Sequence, residues 1–247
     1  SRYFQQLINT LSQKGLSGKI LTRSYPNSRI PDSNLENFQF KVLNNFKNPY
    51  DEVSELLSSD CDLKIFHPTY YSKNLIKINE PNTKMVLTVF DMISEIFPEK
   101  KPLFRRVTNE KKISIERADH ILRISNKTKV DLVKIYGIPE EKITVTYLGT
   151  NLNQIPNTSL QIPANNPFLL YVGKRSGYKN FFNFISAYAE SKFLTSHFSI
   201  IAVGGGDFNR FELAEFKRLN IDDKIIQIDA NDEKLAMCYR AAACLVF

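Results

Sequence analysis

The chain is poor in the features that would commit it to several familiar classes. Its 247 residues hold three cysteines, Cys61, Cys238 and Cys244, widely spaced and without a CxxC pair. That argues against a disulfide framework and a zinc site, and fits a reducing compartment. No apolar run approaches the ~20 residues of a membrane-spanning helix, and no signal peptide is visible. No five cations stand in a row, so a nucleic-acid-binding tail is not indicated. GxSxG, HExxH and a GxxxxGK phosphate loop are missing, and without GxGxxG a nicotinamide cofactor has no support.

What is present is a globular composition, 43% hydrophobic and 24% charged, able to bury a real core. The length suits one large domain or two ordinary ones. The net charge of +7 favours anionic partners: nucleotides, phosphorylated sugars, anionic membrane surfaces or nucleic acid. The plainer alternative is a merely basic surface.

The patterning alternates between apolar runs and helical stripes. A helix is expected at about 2–13, then a short strand at 19–22 and a loop at 24–37. Phe38, Val42, Leu43 and Phe46 lie at helical spacing, as do residues 51–57, 113–118 and 128–136. Strands are expected at 62–66, 84–90, 119–124 and 142–147, and Ser125 is placed to cap the helix after it. Residues 149–166 are polar and punctuated by prolines, which marks a boundary. The expected division is a first domain at 1–150, a linker at 151–166 and a second domain at 167–247. In the second domain strands at 168–172, 198–203 and 224–228 are each followed by a helix, and the last run begins another strand. Strands alternating with helices make parallel βαβ units, so the expected class is α/β with doubly wound sheets. The first helix opens mid-pattern and Cys244–Phe247 ends on an apolar run. A fragment, cut inside structured elements at both ends, is expected.

Ligands of such sheets sit at the carboxyl ends of the strands, and the chain's chemistry-bearing residues cluster there. Val172 is followed by Gly173, Lys174, Arg175, Ser176, Gly177, Tyr178 and Lys179. The glycine permits close backbone approach, Arg175 can fork two phosphate oxygens, and Lys179 adds a point charge at a helix N-terminus. A helix dipole disfavours a cation there unless an anion joins it. Gly204-Gly205-Gly206 follows another strand, with amides available for phosphate. A solvated basic turn and a flexible βα turn are the plainer alternatives. His67 and Asp91 end two strands of the first domain and suit acid–base chemistry or hydroxyl binding; for Asp91 the competing role is a helix cap. His120 and His197 lack a partner at ligand spacing and read as structural.

These motifs resemble the family-4 glycosyltransferases of GT-B fold, in particular bacterial members that build surface polysaccharides and lipopolysaccharide. The similarity runs through Leu169–Gly173 with Arg175 and Tyr178-Lys179-Asn180, through Val203–Gly206, and through Asp232–Leu235 with Tyr239, Ala242 and Ala243. In the first domain it runs through Ala118–Ile121 with Ser125, Thr128 and Lys129, and through Ile143–Gly149. It implies two Rossmann-like domains facing a cleft, the second incomplete. It implies sugar transfer from a nucleotide-sugar, GDP-mannose by this reading, to a saccharide or lipid-linked acceptor with retention at the anomeric carbon. Arg175, Lys179 and Gly173 then bind the donor diphosphate. Gly204, Gly205, Ile228, Asp229 and Leu235 bind its nucleotide, and Asp91 and His67 are catalytic. No cofactor or metal is implied, since fixed cations can neutralise the leaving diphosphate. The implied setting is cytoplasmic, without nucleic acid. Lys100, Lys101, Arg105, Arg106, Lys111 and Lys112 are candidates for peripheral contact with the inner membrane, the plainer alternative being a solvated helix face. Two departures stand out: Phe90 occupies a position where many members carry histidine, and the family's downstream glutamate loop is not in the sequence. The alternatives are a GT-B nucleotide-sugar epimerase and a non-catalytic nucleotide or polyanion-binding module.

Overall fold

The computed structural model describes residues 2–22, 37–43, 49–59, 65–78, 80–98, 102–150, 152, 155 and 167–247. They belong to two compact units, Ser1–Leu148 and Gly149–Phe247. Most of the expected loop at 24–37 and of the expected linker at 151–166 lies outside the described residues, as do Cys61, Lys100 and Lys101.

The first unit opens with helix α1 (Arg2–Gln13), strand β1 (Gly18–Thr22), strand β2 (Phe38–Val42) and helix α2 (Pro49–Ser59). Then come β3 (Ile65–Phe66), β4 (Lys84–Val89), α3 (Ile93–Ile96), α4 (Pro102–Arg117), β5 (His120–Arg123), α5 (Asn126–Tyr136) and β6 (Ile143–Val145). Strands β3, β4, β5 and β6 form one parallel sheet in that order, and β1 and β2 form a separate parallel pair. Met85, Leu87 and Val89 of β4 and Ile121 of β5 join Leu75, Ile115 and Leu132 in a buried cluster. Each such side chain contributes roughly 1.5–3 kcal/mol by leaving water. Helix α5 starts and stops where local chemistry says it should. The Ser125 hydroxyl accepts the Thr128 N–H at 3.2 Å, and Gly137 takes the left-handed φ of 65° at the other end, which costs glycine little.

Residues 38–42 correct the helical expectation for Phe38 to Phe46. The segment FQFKV also alternates, and as a strand it pairs with β1 from Gly18 opposite Phe38 to Thr22 opposite Val42. Gly18 leaves room for that pairing, because a β-carbon there would lie 2.7 Å from the Phe38 ring. A tertiary partner thus overrode a helical spacing of apolar residues. Helix α4 is longer than expected, beginning at Pro102 rather than near 113.

The second unit contains β7 (Phe168–Val172), α6 (Phe181–Glu190), α7 (Lys192–His197), β8 (Ser199–Val203), α8 (Arg210–Arg218), β9 (Ile225–Ile228), α9 (Asp232–Ala241) and β10 (Cys244–Val246). All its strand pairings are parallel, in the order β10-β7-β8-β9. Alternation divides each strand between two faces. Leu169, Tyr171 and Ile200 pack with Phe181, Ile185 and Phe216 of α6 and α8, whereas Leu170, Ile201 and Ile228 pack with Cys238 and Leu235 of α9. Helices therefore cover both faces, and the winding reverses at β7, with β8 on one side and β10 on the other. That reversal is the topological switch point, where doubly wound sheets bind ligands beyond the strands' carboxyl ends.

Candidate donor-binding loops of the second unit

The loop after β7 sits at this switch point and packs against the loop after β8. Gly173 has φ 131° and donates its N–H to Val203 O at 2.9 Å. The buried Tyr171 donates its hydroxyl to Lys174 O at 2.8 Å. Gly204, Gly205 and Gly206 all take left-handed φ values, 84°, 83° and 74°. A β-carbon on Gly205 would lie 2.8 Å from Arg175 Nη1, and one on Gly204 would lie 3.8 Å from the Gly173 backbone. Conformation selects glycine at all three positions, and space does so at Gly205.

Arg175 is only 5% exposed. Its Nε donates to Glu212 Oε1 at 2.7 Å and its Nη2 to Glu212 Oε2 at 3.3 Å. Nη1 donates to Gly204 O at 2.7 Å, and Nη2 also reaches Gly206 O at 2.9 Å and Asp207 O at 3.1 Å. The Phe208 ring lies 4.8 Å from the guanidinium carbon. The sequence reading has Arg175 forking a phosphate; the structure gives both of its bidentate edges to protein acceptors. Glu212 in turn caps α8, accepting the Asn209 N–H at 2.8 Å while Asn209 accepts the Glu212 N–H at 3.0 Å.

The cations that remain open are the lysines. Lys174 is exposed and Lys179 half-buried, and among the described residues neither ammonium has a carboxylate partner. Lys179 Nζ lies 3.8 Å from the centre of the Phe247 ring, beyond β10 on the other side of the switch point. Asn180 precedes α6 with φ 53° and makes no side-chain cap, so the positive end of that helix lies beside Lys179. Among the described residues no acceptor takes the N–H groups of Gly205 or Gly206. Two ammoniums and several backbone donors at one strand-end edge can hold a polyanion. Of the residues expected to meet the nucleotide, Ile228 and Leu235 pack into the core under α9, leaving backbone at the strand end. Asp229 is exposed and accepts from Gln227 Nε2 at 3.1 Å.

In the first unit His67 and Asp91 follow β3 and β4, and no hydrogen bond between them is found among the described residues. His67 Nε2 is 2.9 Å from Thr88 Oγ1, which is 3.3 Å from the Tyr3 hydroxyl. Phe4 meets the imidazole edge-on at 5.2 Å, and burial holds its pKa down at about 4. Burial thus favours the neutral imidazole at neutral pH. Phe90 stacks edge-on against Tyr3 at 5.3 Å. Asp91 Oδ1 accepts the Ile93 N–H at 3.0 Å at the start of the short α3, although the N-cap residue itself is Met92. Lys111 is 3% exposed and donates to Glu95 Oε2 at 2.9 Å, Asp91 O at 3.0 Å and Ser94 Oγ at 3.0 Å. Lys111 is thus a buried anchor of the post-β4 loop and not part of a surface basic patch; Arg105, Arg106 and Lys112 are exposed. His120 pairs with Thr144 and His197 with the Phe193 carbonyl, and no cluster of metal-ligating side chains occurs among the described residues.

Sequence reasoning missed Glu212 and Lys111. Asn209-x-x-Glu212 carries a capping-box signal, but nothing local announces the pairing with Arg175. Lys111 looked like its charged neighbours on α4.

No family model matches the chain. The O-antigen chain mannosyltransferase RfbU of Salmonella typhimurium (strain LT2) is 26% identical over 166 residues, 65% of this chain and 44% of that protein. A glycosyltransferase from Rickettsia africae superposes with a TM-score of 0.64 at 18% identity, over 97% of this chain and 66% of its own. WaaG, a glycosyltransferase involved in lipopolysaccharide biosynthesis, gives 0.64 at 17% identity, over 99% and 70%. The fold is that of the GT-B glycosyltransferases. The match to the curated relative spans less than half of that protein's length.

Proposed function

We propose that this chain belongs to a retaining glycosyltransferase that moves a hexose from a nucleotide-sugar to a saccharide or lipid-linked acceptor in surface-polysaccharide synthesis. The observation that carries the reading is the switch-point edge of the second unit. There, among the described residues, neither the exposed Lys174 nor the half-buried Lys179 has a carboxylate partner, and no acceptor takes the Gly205 and Gly206 amides after β8. A nucleoside diphosphate is the polyanion such an edge suits, and the GT-B fold is the frame in which it stands. GDP-mannose is the proposed donor, supported by the similarity to an O-antigen mannosyltransferase.

In the reaction the bond from the anomeric carbon to the diphosphate oxygen breaks, and its electron pair leaves with the diphosphate. The ammoniums of Lys174 and Lys179 and the loop amides stabilise that charge. The acceptor oxygen bonds to the anomeric carbon on the same face, and its proton passes to a phosphate oxygen of the departing group. His67 and Asp91 are proposed to hold hydroxyl groups, His67 as a neutral imidazole. The fixed cations make a divalent ion unnecessary on this reading. The proposed setting is the cytoplasm, with exposed Arg105, Arg106 and Lys112 of α4 offering peripheral contact to an anionic membrane face. Among the described residues no helix is long and apolar enough to cross a membrane.

The test is a panel of nucleotide-sugars screened by thermal shift on the full-length protein, followed by transfer assays with and without EDTA. A raised melting temperature with one donor, and transfer that survives EDTA, are expected. A protein that neither binds nor turns over any nucleotide-sugar would refute the reading.

A further inference from the structure

Arg175 is the most heavily bonded side chain at the proposed donor site, yet both edges by which a guanidinium chelates phosphate are occupied. Glu212 holds the Nε–Nη2 edge, and the carbonyls of Gly204, Gly206 and Asp207 hold the Nη1–Nη2 edge. The carboxylate also cancels the guanidinium charge at a position that is 5% exposed. A direct phosphate contact would have to break one of these forks.

The same bonds set the direction of the loop's donors. In a trans peptide the N–H points opposite to the C=O, and no cis peptide is found among the described residues. With Gly204 O turned toward Arg175, the Gly205 N–H is aimed away from it. With Gly206 O turned the same way, so is the Asp207 N–H. Gly205, Gly206 and Asp207 are exposed, and three consecutive left-handed glycines let successive peptides keep that alignment. Outward N–H groups on such a turn form an anion-binding nest.

We propose that Arg175 is a positioning residue: it draws three loop carbonyls inward and thereby presents the Gly205 and Asp207 amides to the donor diphosphate, with Glu212 as its lock. Lys174 and Lys179 supply the charge that meets the ligand. This inference rests on the reading of the second unit as a nucleotide-sugar site.

The two roles for Arg175 predict opposite signs for one substitution. If Arg175 contacts phosphate directly, Glu212→Gln removes a competitor and UDP or GDP binds as well or more tightly. If Arg175 positions the loop, Glu212→Gln loosens its lock and binding weakens. The experiment is calorimetric titration of the full-length protein and its variants with UDP and with GDP. Glu212→Gln and Arg175→Lys are each expected to weaken binding roughly tenfold to a hundredfold, the worth of one or two charge-assisted hydrogen bonds. The double variant should be no weaker than Arg175→Lys alone, because the pair acts as a unit. Unchanged or tighter binding by Glu212→Gln overturns the inference. A measurement independent of variant folding is the amide NMR response of the unmodified protein to inorganic pyrophosphate. The Gly205 and Asp207 signals should move most, and their failure to move overturns the nest. Binding that Lys179→Ala weakens and Glu212→Gln tightens keeps the donor reading and rejects the positioning role. If UDP, GDP and pyrophosphate all fail to bind the unmodified protein, both fall.

Discussion

Lowering the pH should destabilise the first unit through His67, and the size of the effect can be worked from its surroundings. Packing against Phe4 and the Thr88 hydroxyl takes the imidazole out of water, and burial lowers its pKa from 6.5 to about 4. Across that window the unfolded chain binds a proton that the folded chain refuses, so stability rises with pH. The contribution is complete above the unfolded value near 6.5 and is lost progressively as pH falls toward 4. At pH 5 an unfolded imidazole is almost fully protonated and the folded one only about a tenth so, a difference of about 2 kcal/mol; the limit below pH 4 is about 3 kcal/mol. His67→Gln keeps a polar partner for Thr88 but cannot titrate. Urea unfolding at pH 8 and pH 5 should show the unmodified protein losing about 2 kcal/mol more than the variant, a midpoint shift near 1 M for a typical urea slope. Carboxylates elsewhere titrate in both proteins and cancel in the difference. An identical pH dependence in the two would refute the argument that burial alone sets this imidazole's charge.

Three further outcomes are expected. Lys111→Met strands the Glu95 carboxylate at 4% side-chain exposure, where among the described residues the Ser94 and Tyr136 hydroxyls are the donors that remain. It should cost about 3–5 kcal/mol, most of it recovered in Lys111→Met/Glu95→Gln, as read by chemical denaturation. Gly205→Ala places a β-carbon 2.8 Å from Arg175 Nη1 on a backbone with φ 83°; nucleoside diphosphate affinity should fall at least about tenfold in a calorimetric titration. Ile185→Ala opens a cavity between α6 and the sheet at a fully buried position, and a loss of about 2–5 kcal/mol is expected in thermal or denaturant unfolding.

Much of the architecture was legible because it is written in local chemistry. The run Phe168–Val172 reads as a buried strand, and Gly204–Gly206 and Gly137 read as turns because only glycine enters left-handed backbone cheaply. Ser125 announces a helix start through a bond to an amide three residues on. Phe38–Val42 was illegible for the opposite reason. Its apolar residues satisfy helical and alternating periods at once, and the decision belongs to β1, at least sixteen residues earlier in the chain.

The candidate site divides along the same line. Sequence alone placed a glycine, two lysines and an arginine after one strand and three glycines after the next, because strand ends and anion-binding residue types are local facts. It could not say which cations remain free to meet a ligand. That choice fell to Glu212, 37 residues from Arg175, which the parallel sheet and the capped start of α8 bring alongside it. Once paired, the arginine has both of its bidentate edges taken by protein acceptors, and on the proposed reading the lysines are left to do the binding. A charge in a sequence is a property of one residue, but its availability depends on every neighbour that folding supplies.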